Sequence, residues 1–459
     1  MPPTTLYESL DPHAPSRADV LAEYGSFLAL SERLVGVSLT RYARIASLSP
    51  VAVKPYMGAL RACFRIPAID LGFSPLNAHH RSLLLVGSSI AHGCPFCTAH
   101  TACMGDALAG SRVQQSFRAG HLLPDDKQEH DELVYDLIQE VCSVPPALTR
   151  DTRAAFENHF GKQAYQDAAA MLAFMGWLNY NVDALGITLE SEIAPVAQLI
   201  LAPRNLPFNV TDSMAKDDGR AHIGTARARV IATLNPSNLW SRTWAHITNV
   251  WGLVALIPNV VTALSTENSW YKSIPNSTPD NVEWRKAQFG CHIRFDEELE
   301  NDEVKRALSF CLMEGFLKDE NTSLTRLEKF KLFYVFAKGM DNPVLIQDAM
   351  ALVSAAVAND KNAAAENKAD QAETNSEATR ESLDDIVAIA ASQTHPTDAF
   401  SAVARVVHHA AGPGGNIAKS GTVPDVLSYV TEPSAQMEIV GLIGLFGMMQ
   451  RMSVMCGGR

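Results

Sequence analysis

His92-Gly93-Cys94-Pro95-Phe96-Cys97-Thr98-Ala99-His100 sets two thiols three residues apart and an imidazole three further on. Proline favours the first position of a helix, where its missing N–H costs nothing. Cys94 is then expected at the N-cap and Cys97 in the first turn. A helix N-terminus carries partial positive charge and unpaired N–H groups, and both favour a thiolate. His100 falls on the same helical face as Cys97. This spacing predicts redox chemistry, with Cys97, Cys94, His100 and His92 as candidate site residues. Two blander readings compete: core thiols at helical spacing, and a metal site. Cys94, Cys97, His100 and Cys103 recur every three residues, so all four cannot converge on one tetrahedral ion from a single helix. A two- or three-ligand site is the most that geometry leaves. Residue 98 is Thr, which excludes the Cys-x-x-Cys-His of c-type haem. No metal or cofactor is expected.

The elements that must position this motif are helical. Ser82–Ala91 is an apolar run with small residues at Gly87, Ser88 and Ser89, and it leads into the motif. Helical periodicity is also read over Val20–Val35, Val51–Phe64, Ser111–Arg118, Asp125–Val144 and Tyr165–Leu185. No run of alternating strands is evident, so the fold class expected is all-α. The 459 residues exceed one ordinary core. Pro and Gly clustering gives a boundary: a first domain over 1–201, a linker over 202–227 and a second helical domain over 228–459. Residues 359–381 form a low-complexity insert, read as a solvated linker or an exposed helix. The second domain has features of a repeat. Leu84–His100 aligns with Leu332–Asp348, so that Pro95 meets Pro343. Cys94, Cys97 and His100 then meet Asn342, Leu345 and Asp348. The helix around Gly176 aligns likewise with the one around Gly447. The second copy would lack the thiol pair.

The formal net charge of −12 argues against nucleic acid and acidic membrane surfaces as partners. The final apolar stretch, Met437–Met455, is interrupted by Gln450 and Arg451 and is read as a buried helix rather than a span. The N-terminal residues lack a basic region followed by an apolar core. Eight thinly spread cysteines suit a reducing compartment. A cytoplasmic location is therefore expected.

Gly93-Cys94-Pro95-Phe96-Cys97, after a small-residue apolar helix and before Thr98-Ala99-His100, resembles the alkylhydroperoxidase D / carboxymuconolactone decarboxylase family. Asp125–Val144, Leu148-Thr149-Arg150-Asp151 and Met171–Glu190 are similar to its later helices, in the same order. The resemblance covers about residues 35–192. It implies an alkylhydroperoxidase D-like helical bundle, here duplicated in one chain, that assembles as a homo-oligomer. It also implies a peroxiredoxin-like peroxidase that reduces hydroperoxides and is re-reduced by an external dithiol. Carried over by position, Cys97 is the peroxidatic thiol, Cys94 the resolving one, and His100 belongs to the proton relay. The family's histidine lies four residues after the second cysteine, whereas His100 lies three after it. The family's relay glutamate falls on Ser82, so His80 and His79 become candidate substitutes. By this mechanism a Cys97 thiolate attacks the peroxide and Cys94 condenses with the sulfenic acid. His100 or His92 supplies the proton for the leaving alkoxide. A decarboxylase on the same fold and a non-enzymatic thiol switch are the alternatives.

Overall fold

The structure is a computed structural model. It describes residues 5–16, 18–25, 41–64, 76–109, 130–191, 193–202, 208–211, 258, 261–262, 265, 269–318, 322–364, 372–392, 395–412 and 421–457. The predicted helix Ser111–Arg118 and nearly all of the predicted linker 202–227 lie outside the described residues.

The described residues are almost entirely helical, in line with the all-α expectation. In the first half α1 is Leu6–Leu10, α2 Arg41–Ala46, α3 Pro50–Phe64, α4 Ala78–His92 and α5 Pro95–Ala109. They are followed by α6 at Asp131–Cys142, α7 at Arg150–Phe160, α8 at Lys162–Leu185 and α9 at Ala194–Leu201. Two-residue strands, β1 Leu189–Glu190 and β2 Val210–Thr211, pair in parallel. The second half holds α10 Thr278–Phe289, α11 Asp302–Leu312, α12 Arg326–Gly339, α13 Pro343–Ala364 and α14 Ala372–Ala391. It closes with α15 Ala399–Ala410, α16 Val423–Tyr429 and α17 Pro433–Cys456. Helix α13 runs into the low-complexity segment, and α14 begins inside it.

Local chemistry sets the boundaries. Asn77 caps α4 by accepting the His80 N–H, and Gly93 ends it in the left-handed region at φ 82°. That conformation costs glycine little and most other residues more. Thr325 and Glu328 form a reciprocal capping box on α12. In the middle of α4, Gly87 lets α6 approach, since a Cβ there would lie 2.8 Å from Ile138 Cδ1.

One apolar core runs from Leu6 to Cys456 and joins both halves. Its spine is the pair α8 and α17, each 24 residues long. Tyr165 Oη donates to Met455 O, and Arg451 Nη1 donates to Leu172 O. Further along, Gly176 meets Gly447 and Asn181 meets Gly444, so the two helices run antiparallel. A Cβ on Gly176 would lie 2.5 Å from Gly447 O, and one on Gly447 would enter the Tyr180 side chain. Glycine at both positions is what lets the backbones touch. Helix α17 is long and apolar enough to cross a membrane, yet 94% of its apolar window is buried in the protein.

Some features recur in the two halves. Gly93-Cys94-Pro95 joins α4 to α5, and Asp341-Asn342-Pro343 joins α12 to α13. The first residue of each joint has positive φ, 82° at Gly93 and 49° at Asp341. Each following helix starts at the proline.

Candidate functional site

Helix α5 begins at Pro95, as the spacing predicts. Cys94 occupies the cap position: its Sγ accepts the Cys97 N–H at 3.2 Å, and its carbonyl accepts the Thr98 N–H at 3.0 Å. The two cysteines are joined as a disulfide, with Cα atoms 5.4 Å apart. Both are buried, Cys94 completely and Cys97 to 4% exposure. Thr98 and Thr101 turn their hydroxyls back onto the carbonyls of Cys94 and Cys97 at 2.8 and 2.7 Å. The remaining free cysteines among the described side chains are Cys142, Cys311 and Cys456, all buried, and the half-buried Cys291. Burial pushes the Cys456 thiol up to about 12.

His100 is buried and stacked on Phe96, with ring centroids 3.9 Å apart. Its Nδ1 lies 2.8 Å from Phe96 O, so Nδ1 donates, because a carbonyl only accepts. Its Nε2 lies 3.3 Å from Glu190 Oε2 on β1. The other Glu190 oxygen accepts the backbone N–H of Arg41 at 3.2 Å, at the start of α2. Arg41 Nη1 in turn donates to Thr188 Oγ1 at 2.9 Å. Burial alone would raise the Glu190 carboxyl. The charge of His100, its contact with Glu190, the Arg41 N–H and the Arg41 charge outweigh it and hold the carboxyl below its usual range. Sequence reasoning missed Glu190. It looked for a carboxylate near Ser82, before the thiols, and the structure brings one from the segment after α8. Glu190 is the last residue of the family-like segment Met171–Glu190, and no spacing rule singles it out.

His92 ends α4 and is also buried. Its Nε2 lies 3.0 Å from Asp183 Oδ2 on α8, and its Nδ1 lies 3.4 Å from Arg451 Nη2 on α17. Tyr180 packs edge-on against the ring at 4.7 Å between centroids. Asp183 and Arg451 were likewise not identified from sequence. Neither His92 nor His100 hydrogen-bonds to a sulfur among the described residues.

His80 lies elsewhere. It sits in the first turn of α4, about 18 Å along the axis from His92 at 1.5 Å per residue. There His79 Nε2 contacts both oxygens of Asp131 at 2.8 and 3.0 Å, and His80 Nε2 approaches Asp131 Oδ1 at 3.4 Å. His80 also packs edge-on against Phe160. This cluster pins the start of α4 to α6 and α7. Ser82 is buried within α4. The structure therefore gathers Cys94, Cys97, His100 and His92 around the α4–α5 joint and leaves His80 and His79 at the opposite end of α4.

The joint is equipped for thiol chemistry. A backbone N–H at a helix start is aimed at Cys94 Sγ, a ring on the same helix can carry protons, and a buried carboxylate orients that ring. No group of three or more His, Cys, Asp or Glu side chains suited to a metal ion occurs among the described residues. No family model matches the chain, and no curated protein or solved structure matches it.

Proposed function

We propose that the chain is a thiol-dependent oxidoreductase that reduces hydroperoxides through Cys94 and Cys97, on an alkylhydroperoxidase D-like bundle present twice in the chain. The observation that carries the reading is the N–H of Cys97 directed at Cys94 Sγ in a pair already within disulfide reach. In the forward step a Cys97 thiolate attacks the terminal peroxide oxygen. The S–O bond forms, the O–O bond breaks, and the alkoxide takes a proton to leave as alcohol. Cys94 thiolate then attacks the Cys97 sulfenic acid; the S–S bond forms and hydroxide leaves as water after taking a second proton. The three-residue spacing makes this second step intramolecular. An external dithiol reverses the disulfide, and Cys97, the less completely buried of the two, is the more approachable sulfur.

His100 is the proton carrier in this scheme. Its Nδ1 is fixed on Phe96 O, and its Nε2 stands in ion-pair range of Glu190, so the ring is oriented before substrate arrives. The test is consumption of an organic hydroperoxide with a dithiol reductant, by wild type and by Cys97→Ser. Turnover lost in the variant supports the reading; equal rates in both overturn it. A second reading, a reversible thiol switch without turnover, is favoured by the burial of both sulfurs. It requires one equivalent of peroxide to oxidise the pair and, because the dithiol re-reduces the buried disulfide only slowly, no sustained consumption.

A further inference from the structure

Arg451 is a buried cation on a mostly apolar helix. A buried charge is costly unless it is paired and hydrogen-bonded. Its side chain crosses from α17 into the first half beside Gly176, where a Cβ would lie 3.1 Å from Arg451 Cδ. One terminal nitrogen donates to Leu172 O at 3.3 Å, and the other lies 3.4 Å from His92 Nδ1. Beyond the ring, Asp183 Oδ2 stands 3.0 Å from His92 Nε2 on the far side, in ion-pair range though off the hydrogen-bond line.

Chemistry fixes the direction of these contacts. A guanidinium only donates, so His92 Nδ1 must accept, and the ring proton sits on Nε2, toward Asp183. His100 differs: both of its nitrogens face acceptors, Phe96 O and Glu190 Oε2. Among the described residues Tyr180 on α8 also packs against His92, and Cys142 on α6 lies within electrostatic reach of Arg451 and Tyr180. Burial raises both, and the Arg451 charge opposes that rise in each.

We propose that Arg451 is a positioning residue that holds His92 as the neutral Nε2–H tautomer, so that the second half of the chain sets the protonation pattern at the turn carrying Cys94. Asp183 and Arg451 then balance each other across a neutral ring. Under the redox reading, on which this consequence rests, proton delivery falls to His100 and not to His92.

The test is long-range 1H–15N correlation on the full chain labelled at histidine, between about pH 6 and 8. His92→Gln and His100→Gln assign the two rings. In wild type His92 should show one protonated and one bare nitrogen, with the proton on Nε2, throughout this range. In Arg451→Gln the Asp183 carboxylate loses its balancing cation, so the bare-nitrogen signal of His92 should be lost at pH 7. Arg451→Lys should keep the wild-type signature, because an ammonium also only donates. A doubly protonated or Nδ1–H His92 in wild type overturns the assignment, as does an unchanged His92 in a folded Arg451→Gln. Should Arg451→Gln fail to fold, the wild-type and Arg451→Lys spectra decide. Peroxide consumption is measured separately. An inactive protein with the Nε2–H signature overturns the redox reading and supports the Arg451 assignment.

Discussion

The joint from α4 to α5 and the joint from α12 to α13 have the same backbone plan and different chemistry. In each, a residue of positive φ precedes a capping residue and a proline. At the second joint the cap is Asn342, whose Oδ1 accepts the Leu345 N–H at 3.1 Å and whose Nδ2 donates to Ser453 Oγ at 2.8 Å. At the first it is Cys94, whose Sγ accepts the Cys97 N–H. An amide oxygen is a good acceptor, whereas a neutral thiol is a weak one. The same contact that simply closes a helix in the second half therefore favours an ionised sulfur in the first. The contrast continues three residues into each helix past Cys97 and Leu345. His100 faces a carboxylate; Asp348 accepts the backbone N–H groups of Arg294 and Phe295 at 3.0 and 2.9 Å. The second joint holds backbone in place. Nothing in the backbone plan demands a thiol at the first.

The largest expected effect separates the halves by pH. Burial pushes the Asp348 carboxyl up to about 7, against the backbone donors that oppose it. Between about pH 4 and 7 the folded chain holds this proton and the unfolded chain does not. Stability from this group therefore falls as pH rises, by about 1.4 kcal/mol per unit, and levels off above 7. Glu190 works in the opposite sense. Its lowered carboxyl contributes stability above the ordinary carboxylate range, and that contribution is lost as pH falls through the folded value. Denaturant titrations across pH should show Asp348→Asn removing the first slope and Glu190→Gln the second.

The next largest effect tests the contact that holds the halves together. Gly447→Ala drives a methyl into Tyr180, and Gly176→Ala drives one into the Gly447 carbonyl. Overpacking of this kind costs about 1–3 kcal/mol, and the backbone target at Gly176 leaves little room to relax. Both variants should lower the denaturation midpoint, with far-UV circular dichroism as the readout.

Smaller changes address the caps. Asn342→Ala should cost about 1 kcal/mol through loss of the cap. Cys94→Asn, compared with Cys94→Ala in reductant, should retain the cap and recover a similar amount. A Cys94→Asn no more stable than Cys94→Ala would show that the two caps are not equivalent. Least of all, Gly93→Asn should shift stability by a few tenths of a kcal/mol, since Asp341 already occupies the left-handed region at the matching place and Asn tolerates it. A large loss would mean that the first joint is built on stricter terms than the second.

Much of the frame was legible in the sequence. Helical periodicity located α3 and α8 to within a few residues and the body of α6; an apolar run marked α4, and proline fixed the start of α5. The thiol pair declared itself through spacing along one helix. Its supports did not, because Glu190, Asp183 and Arg451 reach the joint from a short strand, the end of α8 and the last helix. Contacts between remote segments leave no local period to read. Arg451 left a trace as a charge inside an apolar stretch. That trace favoured a buried helix over a span, but its partners lie on α8 and α4, remote in sequence. His80 stood near the motif in sequence and far from it in space, since a helix of this length separates its ends by about 18 Å.

The most direct measurement is the rate of alkylation at Cys94 and at Cys97 in the reduced full chain, followed by mass spectrometry as pH is varied. The account predicts that Cys94 reacts as a thiolate well below the free-cysteine value of about 8.5. Asn342→Cys, carrying a thiol at the matching cap, is the internal comparison. Alkylation of Cys94 only above about pH 8.5, or none while the chain is folded, would contradict it.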